Sequence, residues 1–275
     1  MADPARASLN TATVQKQWRL PECIEGCARA GIGGISPWRD VLSEMGVARA
    51  ARQIRDAGLT VSGLCRGGMF TWATAADHQA MIDDNLRAIE EAVAIKAAAL
   101  VLVVGGLPGA SRDLAGARDQ VRDAISELLP HARSAGMPLA IEPLHPMYAA
   151  DRACINTLGQ ALDLCDQLGP GLGVAVDVYH VWWDPDLRTQ IERAGASERL
   201  FAFHLCDWLV PTRDLLLDRG MMGDGVIDLT LIHEWMTRSG YAGALEVEIF
   251  SEANWWQRDP DEVLSTIQER IATVV

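Results

Sequence analysis

The sequence predicts an α/β protein of the (β/α)8 TIM-barrel class, folded as a single domain over residues 1–275. Three observations lead there. Strand-like and helix-like stretches alternate from end to end, in about eight units over a length typical of such barrels. No linker-like or low-complexity segment divides them. A doubly wound sheet would more commonly carry fewer strands and a glycine-rich phosphate turn after the first, and that turn is absent.

Ser8 to Val14 reads as the first strand and Pro21 to Ala30 as the first helix, with Gly31 at its exit. Ile32 to Ile35 is a weak, glycine-diluted second strand running into Ser36-Pro37-Trp38. Val47 to Ala57 is helical and stops at Gly58, a C-cap signal. Leu59 to Cys65 makes a third strand, followed by Arg66-Gly67-Gly68. Asp77 is placed to cap the long third helix, whose Ile82, Leu86, Ile89 and Val93 share one face. Leu100 to Val104 is an uninterrupted strand, and Asp113 to Ala135 the helix after it. Leu139 to Ile141 opens the fifth strand, which runs into Glu142. Thr157 starts the next helix with a capping-box pattern. The small and β-branched run Gly173 to Val176 is the sixth strand and ends in Asp177; Leu200 to Leu205 is the seventh. Asp228 caps a helix that finishes at Gly240, Ala244 to Phe250 is the eighth strand, and Asp259-Pro260-Asp261-Glu262 launches the last helix.

Composition narrows the function. With 49% hydrophobic residues the chain can bury a large core. A formal net charge of −13 argues against nucleic acid as a partner, since phosphates need a basic face. No apolar run approaches the roughly 20 residues of a membrane helix, and the N-terminus lacks the apolar core of a signal peptide. Six cysteines without disulfide-framework spacing fit a reduced, cytoplasmic compartment.

In a barrel the chemistry collects at the C-terminal ends of the strands. Those ends supply Glu142, Asp177, His204 and Glu248 from consecutive strands, so four ligand-type side chains could converge. Taken singly, Glu142 could cap a loop, Asp177 a helix, His204 could be a hydrogen-bonded core histidine, and Glu248 could form an ion pair. Together, three crowded carboxylates would repel one another, and a divalent metal removes that conflict. One imidazole among oxygen ligands suits Mn²⁺, Mg²⁺, Co²⁺ or Zn²⁺ without choosing among them. Glu246 competes with Glu248, because alternation puts both on one face; Glu248 is preferred as nearer the mouth. Trp38, Trp72, Trp182, Trp183, Trp208, Trp255 and Trp256 fall in or near the loops after strands, where aromatic faces suit sugar C–H surfaces, rim packing or a contact between copies.

The motifs Glu142-Pro143-Leu144-His145, Asp177-Val178-Tyr179-His180, His204-Leu205-Cys206-Asp207, Gly223-Asp224-Gly225-Val226-Ile227-Asp228 and Val247-Glu248-Ile249-Phe250 follow in order. By them the chain resembles the sugar isomerase/epimerase members of the xylose-isomerase-like barrel superfamily, including inosose isomerases and ketose 3-epimerases. The resemblance runs from about Leu139 to Trp256; the first half shares only the strand–helix rhythm. It implies one divalent metal held by Glu142, Asp177, His204 and Glu248, with Glu142 and Glu248 as the acid/base pair. The implied reaction is proton transfer through a metal-stabilised enediolate of a small sugar or cyclitol. It further implies His180 and Arg219 as substrate-orienting residues, with His145, Trp38, Trp183 and Asp207 as further candidates for substrate binding.

Two other activities share the superfamily's metal chemistry. A dehydratase or lyase would expel a β-hydroxyl from the same enolate. An abasic-site endonuclease would need extra histidines at earlier strand ends, where this chain has Trp38, Cys65-Arg66 and Gly105-Gly106. The absence of a dedicated phosphate loop points to unphosphorylated substrates, with Arg66 and Arg219 as the residues that could reverse that expectation.

Overall fold

A computed structural model describes residues 2–275. Strand β1 spans Ala7–Asn10, β2 Gly34–Ser36, β3 Thr60–Val61, β4 Leu64–Gly68, β5 Leu100–Val103, β6 Leu139–Ile141, β7 Leu172–Asp177 and β8 Leu200–Leu205. The short pair β9 (Asp207–Trp208) and β10 (Arg219–Gly220) stands apart, and β11 spans Leu245–Val247. Among the described residues, one sheet of nine strands runs in the order β3-β2-β1-β11-β8-β7-β6-β5-β4, and its strand pairs are parallel.

The sheet curls back on itself because β3 and β4 are two halves of one barrel strand. β3 pairs with β2, β4 pairs with β5, and single parallel bridges at Trp38–Cys65 and Val61–Ala97 stitch the seam. The third predicted strand, Leu59 to Cys65, is therefore broken at Ser62-Gly63 and continues to Gly68. Two other strands are shorter than their apolar patterns suggest. β1 stops at Asn10, whose side chain accepts the Ala12 N–H and turns Thr11–Val14 into a 3₁₀ turn. β11 stops at Val247, and Glu248 follows it directly, its N–H still donating to the Leu205 carbonyl at 3.0 Å.

Ten helices surround the sheet among the described residues: α1 Leu20–Ala30, α2 Arg39–Met45, α3 Val47–Asp56, α4 Ala75–Ala94, α5 Leu114–Ser134, α6 Leu158–Leu168, α7 Val178–Val181, α8 Leu187–Ala196, α9 Leu229–Arg238 and α10 Pro260–Thr273. Caps set most of their starts: Asp113, Thr157, Asp228 and Asp259 each accept a first-turn N–H. At α4 the cap is Thr74, not Asp77. Asp77 is the reciprocal third residue of a capping box.

The apolar core lies between sheet and helices, where Leu100, Leu102, Leu139 and Val174 pack against α4, α5 and α6. Inside the barrel the side chains are small: Cys65, Ala99, Val101, Ala140, Ala175 and Ala202 form a separate cluster. Small residues there leave room for polar ones. Ser8, Asn10, Ser36, Ser62 and Glu246 are all buried in the described fold.

Candidate metal centre

β6, β7, β8 and the end of β11 carry Glu142, Asp177, His204 and Glu248 to one place. One donor atom from each lies within 4.8 Å of the others, and all four residues are buried. Strand register explains the convergence: Asp177 sits opposite His204 across β7 and β8, and His204 opposite Glu246 across β8 and β11. Glu248 stands two residues nearer the mouth on the same face.

Glu246 is not a member of this cluster. Its Oε1 accepts Asn10 Nδ2 at 2.8 Å and its Oε2 accepts Ser62 Oγ at 2.7 Å. Asn10 Nδ2 also donates to Glu248 Oε1 at 3.0 Å, and its own oxygen accepts Trp38 Nε1. One amide thus holds both glutamates and the cavity tryptophan in place.

The two oxygens of Asp177 have separate partners. Oδ1 accepts the Tyr179 N–H at 2.8 Å and starts α7. Oδ2 faces Arg219 Nη1 at 3.2 Å and His180 Nε2 at 3.6 Å. Arg219 Nη1 also reaches Glu248 Oε2 at 3.1 Å, and its guanidinium lies between the rings of Tyr179 and Phe250. His180 accepts the His145 N–H on Nδ1 at 3.3 Å, which turns Nε2 toward Asp177.

Ionisation follows burial and neighbours. Burial pushes Glu248 up to about 8; Arg219 opposes the shift and the nearby Glu142 adds to it. Burial pushes His180 down to about 3, so its ring is neutral. Burial alone would lower His204, but Glu246, Glu142 and Glu248 outweigh it and hold the imidazole well above its ordinary value. Burial would raise Asp177, yet Arg219, His180 and His204 hold it below the ordinary carboxylate range.

The residues fit a divalent ion. His204 Nε2 is buried without a hydrogen-bond partner, 3.6 Å from Glu246 Oε1, while Nδ1 stands 2.8 Å from Glu142 Oε1. Metal-bound histidines commonly turn the remaining ring nitrogen to a carboxylate in this way. Donors at about 2.0–2.3 Å from one ion are at most roughly 4.6 Å apart, so little contraction is needed.

Above the cluster is a cavity of about 350 Å³. Glu142, Glu248, His180, Arg219 and Trp38 line it, as four of these residues' strand-end positions predict and the Arg219 loop completes. His145, Trp183 and Asp207 do not line it. His145 stacks on Trp208 and, with Trp182 and Trp183 nearby, packs behind His180; Trp183 Nε1 donates to the His180 carbonyl. Asp207 accepts the N–H groups of Trp208, Gly223, Gly225 and Ile227, and so organises the Gly223–Ile227 turn. Tyr148, Asp151 and Arg152 are lining residues that sequence reasoning missed. Tyr148 ends the 3₁₀ turn Pro146–Tyr148, and Asp151 and Arg152 lie in the turn after it, with no periodic signal.

Three comparisons show what the chain is related to. The profile of the family described as xylose isomerase-like TIM barrel matches residues 24–268. The chain belongs to that family. It is 27% identical over 161 residues to an inosose isomerase of Halalkalibacterium halodurans, covering 56% of this chain and 53% of that protein. It is 28% identical over 137 residues to an L-ribulose-5-phosphate 3-epimerase of Salmonella paratyphi A, covering 49% and 44%. The chain thus spans about half the length of the curated relatives it matches. The crystal structure of protein SMc04130 from Sinorhizobium meliloti 1021 is 55% identical, covers 99% of both chains and superposes with a TM-score of 0.97. Among the described residues no helix is long and apolar enough to cross a membrane.

Proposed function

We propose that this protein is a divalent-metal-dependent isomerase or epimerase of a small sugar or keto-inositol. The reaction is proton transfer at a carbon beside a carbonyl. The observation that carries the reading is the buried Glu142, Asp177, His204 and Glu248 cluster beneath a sugar-sized cavity. The resemblance to an inosose isomerase and a ketose-phosphate 3-epimerase supports the class of reaction.

Glu142, Asp177, His204 and Glu248 would hold the ion. When bound, it supplies Lewis acidity that stabilises negative charge on oxygen as the neighbouring carbon loses its proton. Glu142 and Glu248 face the cavity and are the groups that take and return that proton. Without an ion, burial raises the Glu248 carboxyl to about 8; with one bound it would be ionised, ready to accept the proton. His180, neutral and anchored through Nδ1 on the His145 N–H, orients a substrate oxygen with the other edge of its ring. Arg219 keeps Asp177 and Glu248 in position by bonding both. Trp38 and Phe250 give the sugar apolar faces and limit water.

The test is to incubate metal-loaded protein with 2-keto sugars and keto-inositols in D₂O. Deuterium uptake at carbon without loss of water supports the isomerase or epimerase. An unsaturated product would replace it with a dehydratase acting on the same cluster. No exchange with any keto substrate would sink the proton-transfer reading.

A further inference from the structure

The cavity has a cationic side that the proton-transfer chemistry does not use. Arg219 is already committed to Asp177 and Glu248 at the cluster. Arg66 lines the same cavity, is half-buried, and makes no hydrogen bond or ion pair among the described residues. Every other buried or half-buried arginine described has an acceptor. Arg39 bonds Asp84 and Glu91, Arg118 the Cys154 carbonyl, and Arg6 the Gly243 carbonyl. Arg122, Arg193, Arg199 and Arg270 bond carboxylates. The Arg66 guanidinium faces the open cavity with no acceptor among the described residues, and its planar fork matches phosphate and carboxylate oxygens.

Arg152 stands at the mouth of the same cavity. It is exposed and also has no acidic partner among the described residues; its guanidinium lies 5.3 Å from the Tyr148 ring centre, and its carbonyl accepts the Gly105 N–H. Asp151, exposed on the same rim, makes no ion pair with either arginine among the described residues. Donors for the ion come from β6, β7, β8 and the end of β11, whereas Arg66 belongs to β4 and Arg152 to the loop after β6. The proton-transfer cluster, with Arg219, and the two unpaired arginines therefore come from different elements around one cavity.

We infer that the substrate is a keto sugar bearing a terminal anion, a phosphate or a carboxylate, held by Arg66 and Arg152 while the carbonyl end meets the Glu142 and Glu248 carboxylates. This deepens the isomerase reading and rests on it. It also runs against the expectation drawn from the missing phosphate loop: two side chains, not a backbone cradle, supply the recognition.

The experiment has a catalytic and a binding arm. Metal-loaded protein is assayed for deuterium exchange with ribulose and xylulose, their 5-phosphates, and the ketose uronates fructuronate and tagaturonate. At least one anionic substrate is expected to exceed the neutral ketoses in kcat/KM by at least about tenfold, and which anion wins separates phosphate from carboxylate. In Arg66→Met and Arg152→Met that preference falls by about 10- to 100-fold, mainly through KM. Equal use of neutral and anionic ketoses, or a preference untouched by Arg66→Met, overturns the inference and leaves the isomerase reading intact.

Calorimetry with inorganic phosphate and with acetate on the metal-loaded protein reads the arginines without turnover. Saturable binding of either anion that is lost in the double variant, with metal content unchanged, supports the anion site even if every substrate fails to exchange. No difference between wild type and double variant at millimolar anion overturns it. Failure of exchange with retained anion binding would instead indict the proton-transfer reading.

Discussion

Asp177 shows how one side chain can satisfy a structural and a chemical demand together. Its Oδ1 caps α7 through the Tyr179 N–H, while Oδ2 faces the cluster. The two meanings that the sequence leaves open for it, helix cap and ligand, are both compatible with the geometry. Asp177→Asn keeps an oxygen for the cap but removes the charge. It is expected to fold, with an unchanged circular dichroism spectrum, and to lose at least about tenfold in metal affinity. Stoichiometric metal after dialysis of that variant would refute the ligand role. Glu246 makes a subtler case. It sits 3.6 Å from His204 Nε2 and is held by Asn10 and Ser62. Glu246→Gln should weaken metal binding by roughly 10- to 100-fold, as loss of a carboxylate behind a ligating histidine commonly does. Calorimetric titration measures it; an unchanged affinity would mean the contact is only packing. The four cluster residues were legible because chemically expensive side chains stood at successive strand ends. Glu246 and Glu248 were not separable by alternation, since both face inward, and only depth along the barrel tells them apart.

At the scale of elements, Asp207 illustrates the limit of motif reading. It stands next to the His204 motif, but its carboxylate is spent on the amides of Trp208, Gly223, Gly225 and Ile227. Removing it leaves those N–H groups without an acceptor in a part-buried turn. Asp207→Ala is therefore expected to speed hydrogen exchange at Gly223, Gly225 and Ile227 by about tenfold or more, with protection in β7 unchanged. Unchanged exchange at the three amides would show that the turn holds itself. A second element-scale expectation concerns α4. Thr74 begins its capping box, so Thr74→Ala should cost about 1 kcal/mol in chemical denaturation, against little change for a surface substitution in mid-helix. Long helices and continuous apolar strands such as β5 could be read from periodicity and punctuation. The third barrel strand could not. Its division at Ser62-Gly63 reflects pairing with β2 on one side and β5 on the other, and pairing across the seam leaves no local signature.

For the whole molecule, the barrel gathers buried acids on a small-residue interior, so metal, pH and stability are coupled. Consider the metal-free protein between pH 6.5 and 8. Burial, reinforced by Glu142 and opposed by Arg219, raises Glu248 from 4.5 to about 8, so the folded state holds a proton there that the unfolded chain has released. His204 is held well above its ordinary 6.5 because Glu246 and Glu142 overcome its burial, so it too stays protonated only in the folded state. His180, pushed down to about 3 by burial, and His145 and His233, also lowered by burial, oppose this near pH 6.5, where the unfolded chain still protonates them, and add little to the slope as pH rises toward 8. Asp177, held low, is ionised in both. The folded state thus binds more protons than the unfolded one, and its stability falls as pH rises through this window. An ion in the cluster requires Glu248 ionised and a nitrogen of His204 free, so binding releases protons and removes that slope. It also adds stability that grows with the logarithm of free metal. Urea midpoints at pH 6.5 and pH 8 are expected to decline with chelator present and to stay level, at higher urea, with saturating Mn²⁺. A chelated protein whose midpoint does not fall would mean that Glu248 and His204 titrate as in the unfolded chain. The described coupling among Glu142, His204, Glu246 and Glu248 would then be wrong.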